Sequence, residues 1–228
     1  MHAPVSSIEI LEDFSATARC DEGFLRLKRL RCRNLRSDGS TSPIYRVDVI
    51  DRPQLDAVAV LVHRRSSSGI EVLTRMQLRP AAYFRKERAA GIPCESEHLF
   101  VEEIVAGVLE HADVGEAGLR VRAAEEVREE AGIVVSPEEM TLLGAPFFLA
   151  PGILSEKIHL AAVDVTGKAQ GEALGDGSPL EESAILRWRP IAEVLSACRS
   201  GEIQDAKTEL AVRRFLDAIP SPSGRGRG

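Results

Sequence analysis

One stretch constrains this chain more than any other: Gly115 to Gly132, GEAGLRVRAAEEVREEAG. A glycine just past a periodic segment is a helix stop, so the stretch reads as an α-helix closed by Gly132. Leu119, Ala123, Val127 and Ala131 then form an apolar stripe at i, i+4 spacing, which demands a core to pack against. At about 100° per residue, Glu125, Glu126, Glu129 and Glu130 form one acidic arc on the other side. Like charges at i, i+4 destabilise a helix by roughly 0.2–0.5 kcal/mol per pair. Acids in the last turns also oppose the helix dipole. Two readings follow: a solvated acidic face, or a site for a hard divalent cation that takes oxygen ligands and removes the repulsion.

At 228 residues and 44% hydrophobic, the chain can bury a sizeable core, as one domain or one domain with a small appendage. A net charge of −6 argues against nucleic acid or an anionic membrane as the main partner. The four cysteines, Cys20, Cys32, Cys94 and Cys198, form no C-x-x-C pair, so a reducing cytoplasm is expected rather than a disulfide framework. The histidines show no metal-ligand spacing. No signal-peptide core and no apolar run near the ~18 residues of a membrane helix is found.

Along the chain, Phe24 to Leu35 alternates apolar and basic residues, and Ile44 to Ile50 alternates again after the turn Ser37-Asp38-Gly39-Ser40. This predicts a half-exposed β-hairpin. Ala57 to His63 is a nearly continuous apolar run, the mark of a strand buried on both faces. A hairpin loop at Ser66–Gly69 returns it through Ile70 to Met76, and Pro80, lacking an N–H, stops the ladder. Ala81 to Glu97 reads as a loop, Leu99 to Gly107 as a strand running towards the helix. Ser136-Pro137-Glu138-Glu139 has the form of a capped single turn. Leu142 to Leu149 predicts a strand interrupted at Pro146, and Ile158 to Val165 another buried strand. Gly167 to Pro179 is a loop, Ala184 to Trp188 a strand, and Ile191–Ser200 and Asp205–Ile219 are amphipathic helices. Ser221 to Gly228 is a Gly/Ser/Pro/Arg-rich tail.

Glu126-Val127-Arg128-Glu129-Glu130-Ala131-Gly132-Ile133, preceded by Ala106-Gly107 and Gly115-Glu116, resembles the Nudix box. Two departures stand out: Glu125 occupies the family's arginine position, and the loop between Gly107 and Glu116 is enlarged. Gln77-Leu78-Arg79-Pro80 resembles the Q-x-R-P of ADP-ribose and nucleoside diphosphate sugar pyrophosphatases in that family. Ala150-Pro151-Gly152-Ile153-Leu154-Ser155-Glu156 resembles their S-P-G-x-x-x-E segment, and Gly201 to Thr208 their closing segment.

The resemblance implies a Nudix α/β/α sandwich with a mixed central sheet. Residues 1–55 would form a small N-terminal antiparallel β region that dimerises, 56–220 the hydrolase domain and 221–228 a flexible tail. It implies hydrolysis of a nucleoside diphosphate sugar, ADP-ribose first, a UDP-sugar second and GDP-mannose as a further possibility. Mg²⁺ or Mn²⁺ would be held by Glu126, Glu130 and Glu129 with the Ala106 carbonyl. Glu182, with Glu181 its neighbour, would orient or deprotonate the attacking water. Arg79 would hold phosphate oxygens, which its planar fork suits, and Glu103, Arg52 and Glu156 would lie at the substrate. Arg122, four residues before Glu126, is expected to orient the carboxylates in place of the missing arginine. Tyr45, Tyr83 and Phe84 are candidates for stacking on a base. The different reading left open is a Nudix-fold nucleotide-binding or regulatory module that has lost hydrolysis, favoured by Glu125; a plain structural dimer is a third.

Overall fold

The structure is a computed structural model that describes residues 17, 19–87, 97–175, 177–181 and 183–219. The N-terminal alternating segments form strands β1 (Arg26–Cys32) and β2 (Tyr45–Asp51), an antiparallel two-stranded sheet. Strands β3 (Ala57–Ser66) and β4 (Gly69–Leu78) then form the hairpin predicted from the apolar run. Pro80 opens a short helix, α1 (Pro80–Tyr83), at the helical position where its missing N–H costs nothing. Most of the expected 81–97 loop lies outside the described residues, as does the 221–228 tail.

The segment Leu99 to Gly107, expected as one strand, is two. β5 (Phe100–Glu103) pairs with β4, and β6 (Val105–Val108) pairs with β3. The chain changes partners at Ile104, so Ile104 N–H has no place in either ladder; it donates to Thr208 Oγ1 at 3.0 Å instead. Helix α2 (Gly115–Ala131) follows, ended by Gly132 at φ 68° in the left-handed region. A 3₁₀ turn at Pro137–Glu139 carries the capping box anticipated at Ser136. Strands β7 (Thr141–Leu142) and β8 (Phe147–Phe148) are the interrupted strand around Pro146, and both pair with β9 (Lys157–Asp164). Strand β10 (Ile185–Pro190) and helices α3 (Ile191–Ser200) and α4 (Ala206–Ala218) complete the fold.

The large sheet has eight strands, with the path β10-β4-β3-β9-β7 and β5, β6 and β8 paired to its sides. It is mixed: β3 and β9 are parallel and the other pairs antiparallel. β3 is central, and its run is apolar throughout because both faces are covered. Ala57, Ala59 and Leu61 pack with Val194, Val212 and Phe215 of α3 and α4. Val58, Val60 and Val62 pack with Leu119, Ala123, Val127 and Ala131 of α2, the stripe read from the sequence. Helices therefore cover both sheet faces, the α/β/α sandwich expected. Among the described residues no helix is long and apolar enough to cross a membrane.

Candidate active site

Burying the α2 stripe on β3 turns Glu126, Glu129 and Glu130 towards the β4 and β6 side of the sheet. There they line a cleft of about 640 Å³ with Gln77, Arg79, Ala106, Gly107 and Glu181. Gly107 permits the approach: a Cβ there would overlap the Glu126 carboxylate, so only glycine lets that side chain lie against β6.

Glu130 is buried. One carboxylate oxygen accepts from Arg75 Nη1 and the other from Ala106 N–H at 3.0 Å. Arg75 lies on β4 with only 4% of its side chain exposed, and its second branch donates to Glu181 Oε1 at 2.8 Å. Glu126 is half-buried and has no hydrogen bond or ion pair among the described residues. Burial first, then the neighbouring Glu130 charge, push the Glu126 carboxyl up to about 7. Burial pushes Glu130 up to about 7 as well, against the pull of Arg75 and the Ala106 N–H. Glu129 is turned to Arg128, at 2.7 Å.

The loop before β10 reaches this cleft by docking on the end of α2. The last carbonyls of a helix have no partner within it. Here Gly175 N–H donates to the Glu129 carbonyl at 3.0 Å, Gln170 Nε2 to Ala131 at 3.1 Å and Gly171 N–H to Gly132 at 2.8 Å. A Cβ on Gly132 would run into the Gly171 backbone, so this glycine serves both the turn and the docking. Glu181 is thereby delivered to Arg75. Glu182, expected to serve the water, lies outside the described residues.

The remaining expected residues sort into pairs. Arg79 donates through Nε (2.8 Å) and Nη2 to Glu103 Oε1, and its guanidinium reaches the cleft. Arg52 and Glu156 form an ion pair with each other at the cleft's N-terminal side. Arg122 lines the cleft, but its ion pairs are with Asp113 (2.9 Å), Glu110 (3.2 Å) and Glu125 (3.2 Å). The guanidinium bonded to a candidate metal carboxylate is that of Arg75, which sequence reasoning passed over. The available signal was a charged residue inside the alternating strand Val72-Leu73-Thr74-Arg75-Met76, where a buried arginine needs acids facing it. Of the aromatic candidates, Tyr83 is buried against Phe84, and Tyr45 bonds Asn34 at 2.7 Å; the aromatic residue lining the cleft is Phe24.

Among the described residues no three His, Cys, Asp or Glu side chains converge into a ready metal cage. The donor chemistry nevertheless fits a hard divalent ion. Glu126 is a desolvated carboxylate with no ion pair among the described residues, with a second carboxylate beside it and Ala106 in the same cleft lining. Oxygen donors of this kind suit Mg²⁺ or Mn²⁺.

No protein-family model matches the chain. The fold and this acid-lined cleft are consistent with a Nudix-like hydrolase, and similarity to a known enzyme supports that class. A GDP-mannose pyrophosphatase of Citrobacter koseri is 28% identical over 149 residues, which cover 65% of this chain and 73% of that enzyme. The similarity supports a hydrolase of the pyrophosphatase kind.

Proposed function

We propose that this chain is a divalent-metal-dependent pyrophosphatase that splits nucleoside diphosphate sugars into a nucleoside monophosphate and a sugar phosphate. The observation that carries the reading is Glu126: a partly buried carboxylate with no described partner, set beside Glu130 in a cleft that Arg79 also enters. Glu126 and Glu130, with Glu129 and the Ala106 carbonyl, would hold the ion. Bound there, the ion would neutralise diphosphate charge and lower the pKa of a coordinated water. Arg75 keeps Glu130 fixed against β6 and shares its charge with Glu181. Arg79 offers Nη1, which has no partner among the described residues, to phosphate oxygens, a geometry guanidinium suits. Glu181 or its neighbour Glu182 would take the proton of the attacking water.

GDP-mannose is the first substrate to test, given the similarity to a GDP-mannose pyrophosphatase, ahead of ADP-ribose and UDP-sugars. Purified protein is incubated with each compound and Mg²⁺ or Mn²⁺, and the products are separated by chromatography. A nucleoside monophosphate released only with metal supports the reading; intact substrates throughout would overturn it.

A second reading, a nucleotide-binding module without hydrolysis, is favoured by both oxygens of Glu130 being engaged by Arg75 and Ala106. Calorimetric Mg²⁺ and nucleotide binding without turnover would select it. The exposed apolar side chains of the β1–β2 region, Phe24, Leu30 and Leu35 among them, support a homodimer formed through this sheet. Light scattering on the eluting protein tests it.

A further inference from the structure

The first turn of α4 is far from α2 in sequence and outside the acidic arc, yet it holds two parts of the cleft wall. Asp205 caps the helix, accepting from Thr208 N–H at 2.9 Å and from Thr208 Oγ1 at 2.7 Å. Thr208 is fully buried and accepts from Ile104 N–H, the group orphaned where the chain passes from β5 to β6. Between them, Lys207 Nζ lies 2.6 Å from Asp205 Oδ1 and 3.2 Å from Glu103 Oε2.

Glu103 is 3% exposed, and its two oxygens are divided: Oε1 takes Arg79 and Oε2 takes Lys207. Arg79 is 39% exposed and stands on the wall shared by the 640 Å³ cleft and a neighbouring cavity of about 820 Å³. Which of the two spaces the guanidinium serves therefore depends on how Glu103 holds it. With Nε and Nη2 on a single oxygen, Nη1 is left for a ligand.

We propose that Lys207 is a positioning residue for Arg79, acting through Glu103, and so a determinant of diphosphate binding; this rests on the function proposed above. Without the ammonium group, Oε2 of a buried carboxylate loses its partner, a costly state. The Arg79 guanidinium already bonds the other oxygen of this carboxylate, so the freed Oε2 competes for it and draws Nη1 away from the cleft. Arg79 holds phosphate oxygens in substrate and transition state alike, so its loss weakens binding more than turnover.

The test is a double-mutant cycle in the full chain, with the substrate that turns over fastest. Lys207→Met raises KM about tenfold, the loss of one charge-assisted contact, with kcat within about threefold. Lys207→Arg, which keeps the charge, restores KM to within about threefold of the parent. In an Arg79→Ala background, Lys207→Met adds nothing, because the residue it positions is gone. Thermal unfolding accompanies each variant, and Lys207→Gln replaces the methionine if that variant does not fold. An unchanged KM in Lys207→Met, or an equal further loss in the Arg79→Ala background, overturns the proposal. Calorimetric binding of inorganic pyrophosphate with Mg²⁺ separates the two readings. Weakened pyrophosphate binding in Lys207→Met, in a protein that turns over no nucleoside diphosphate sugar, supports Lys207 and sinks the enzymatic assignment. Unchanged pyrophosphate binding alongside good parental turnover does the reverse.

Discussion

Two arginines gather acids around helix α2, and they do so at different depths. Arg122, on the helix itself, meets Asp113, Glu110 and Glu125, and the last two are 58% and 44% exposed. Arg75, reaching in from β4, meets Glu130 and Glu181, which are 8% and 15% exposed. Both clusters have one cation among several acids. Around Arg122 the pair with Asp113 is buried, but water reaches and screens Glu110 and Glu125. Around Arg75 it cannot, and burial first, then the neighbouring acids, push the Glu126 and Glu130 carboxyls up to about 7. The number of acids on a helix therefore says less about a site than the depth at which their counter-charge lies.

The sharpest way to break this contrast is Arg75→Met. Removing one partner of a buried ion pair typically costs about 3–5 kcal/mol, because the other charge is left uncompensated. The variant should lose roughly 10 °C in Tm, on the scale of a few degrees per kcal/mol for a domain of this size, and added Mg²⁺ should recover part of it. A variant as stable as the parent would show that Glu130 is not held by Arg75.

Next in size is Glu126→Gln. It keeps the shape and removes the charge, so it should reduce kcat by about 10²-fold or more while KM changes little, as expected for an interaction realised in the transition state. Near-normal kcat would detach Glu126 from the chemistry.

The third test is pH. The folded carboxyls of Glu126 and Glu130 titrate above their usual value of 4.5, so between about 4.5 and 7 the native state binds more protons than the unfolded chain. Stability from these groups is therefore present at low pH and lost as pH rises through 7. The groups facing them are Arg75, Arg122, Glu103, Glu129 and Glu181, and their mixed signs do not cancel the effect of burial. In EDTA, Tm should fall by about 5 °C between pH 5 and pH 8, and the fall should be smaller in Glu126→Gln. Mg²⁺ should raise Tm more at pH 8 than at pH 5, since it competes with protons for the same oxygens.

The smallest effect is expected for Arg122→Ala: Glu110 and Glu125 are exposed, but Asp113 is 7% exposed and loses a partner, so stability should fall by about 1–3 kcal/mol with kcat within about threefold. A loss comparable with that of Arg75→Met would return the orienting role to Arg122 and erase the contrast.

Much of the fold was legible before any coordinates. The Ala57–His63 run, the α2 stripe, the Gly132 stop and the capping box at Ser136 are local patterns, and a local pattern needs only its neighbours to be read. The break of β5 and β6 at Ile104 was not legible, because it arises from a change of partner strand. Glu126, Glu129, Glu130 and Arg79 could be nominated from spacing and resemblance, and the structure brings all four to one cleft.

The arginine for Glu130 could not be nominated in the same way. Arg122 is four residues from Glu126 on one helix, whereas Arg75 is 55 residues from Glu130 and meets it only because β4 pairs with β3, on which α2 packs. Lys207 and Glu103 are 104 residues apart and meet where α4 crosses the end of β5. Sequence alone determined which segments become strands and helices, and which helix carries the acids, because periodicity and backbone preference act over a few residues. Tertiary structure decided which cation faces which carboxylate and how much water remains between them. Those depend on packing two faces of one sheet, and an ion pair draws its strength from that surrounding rather than from the order of residues.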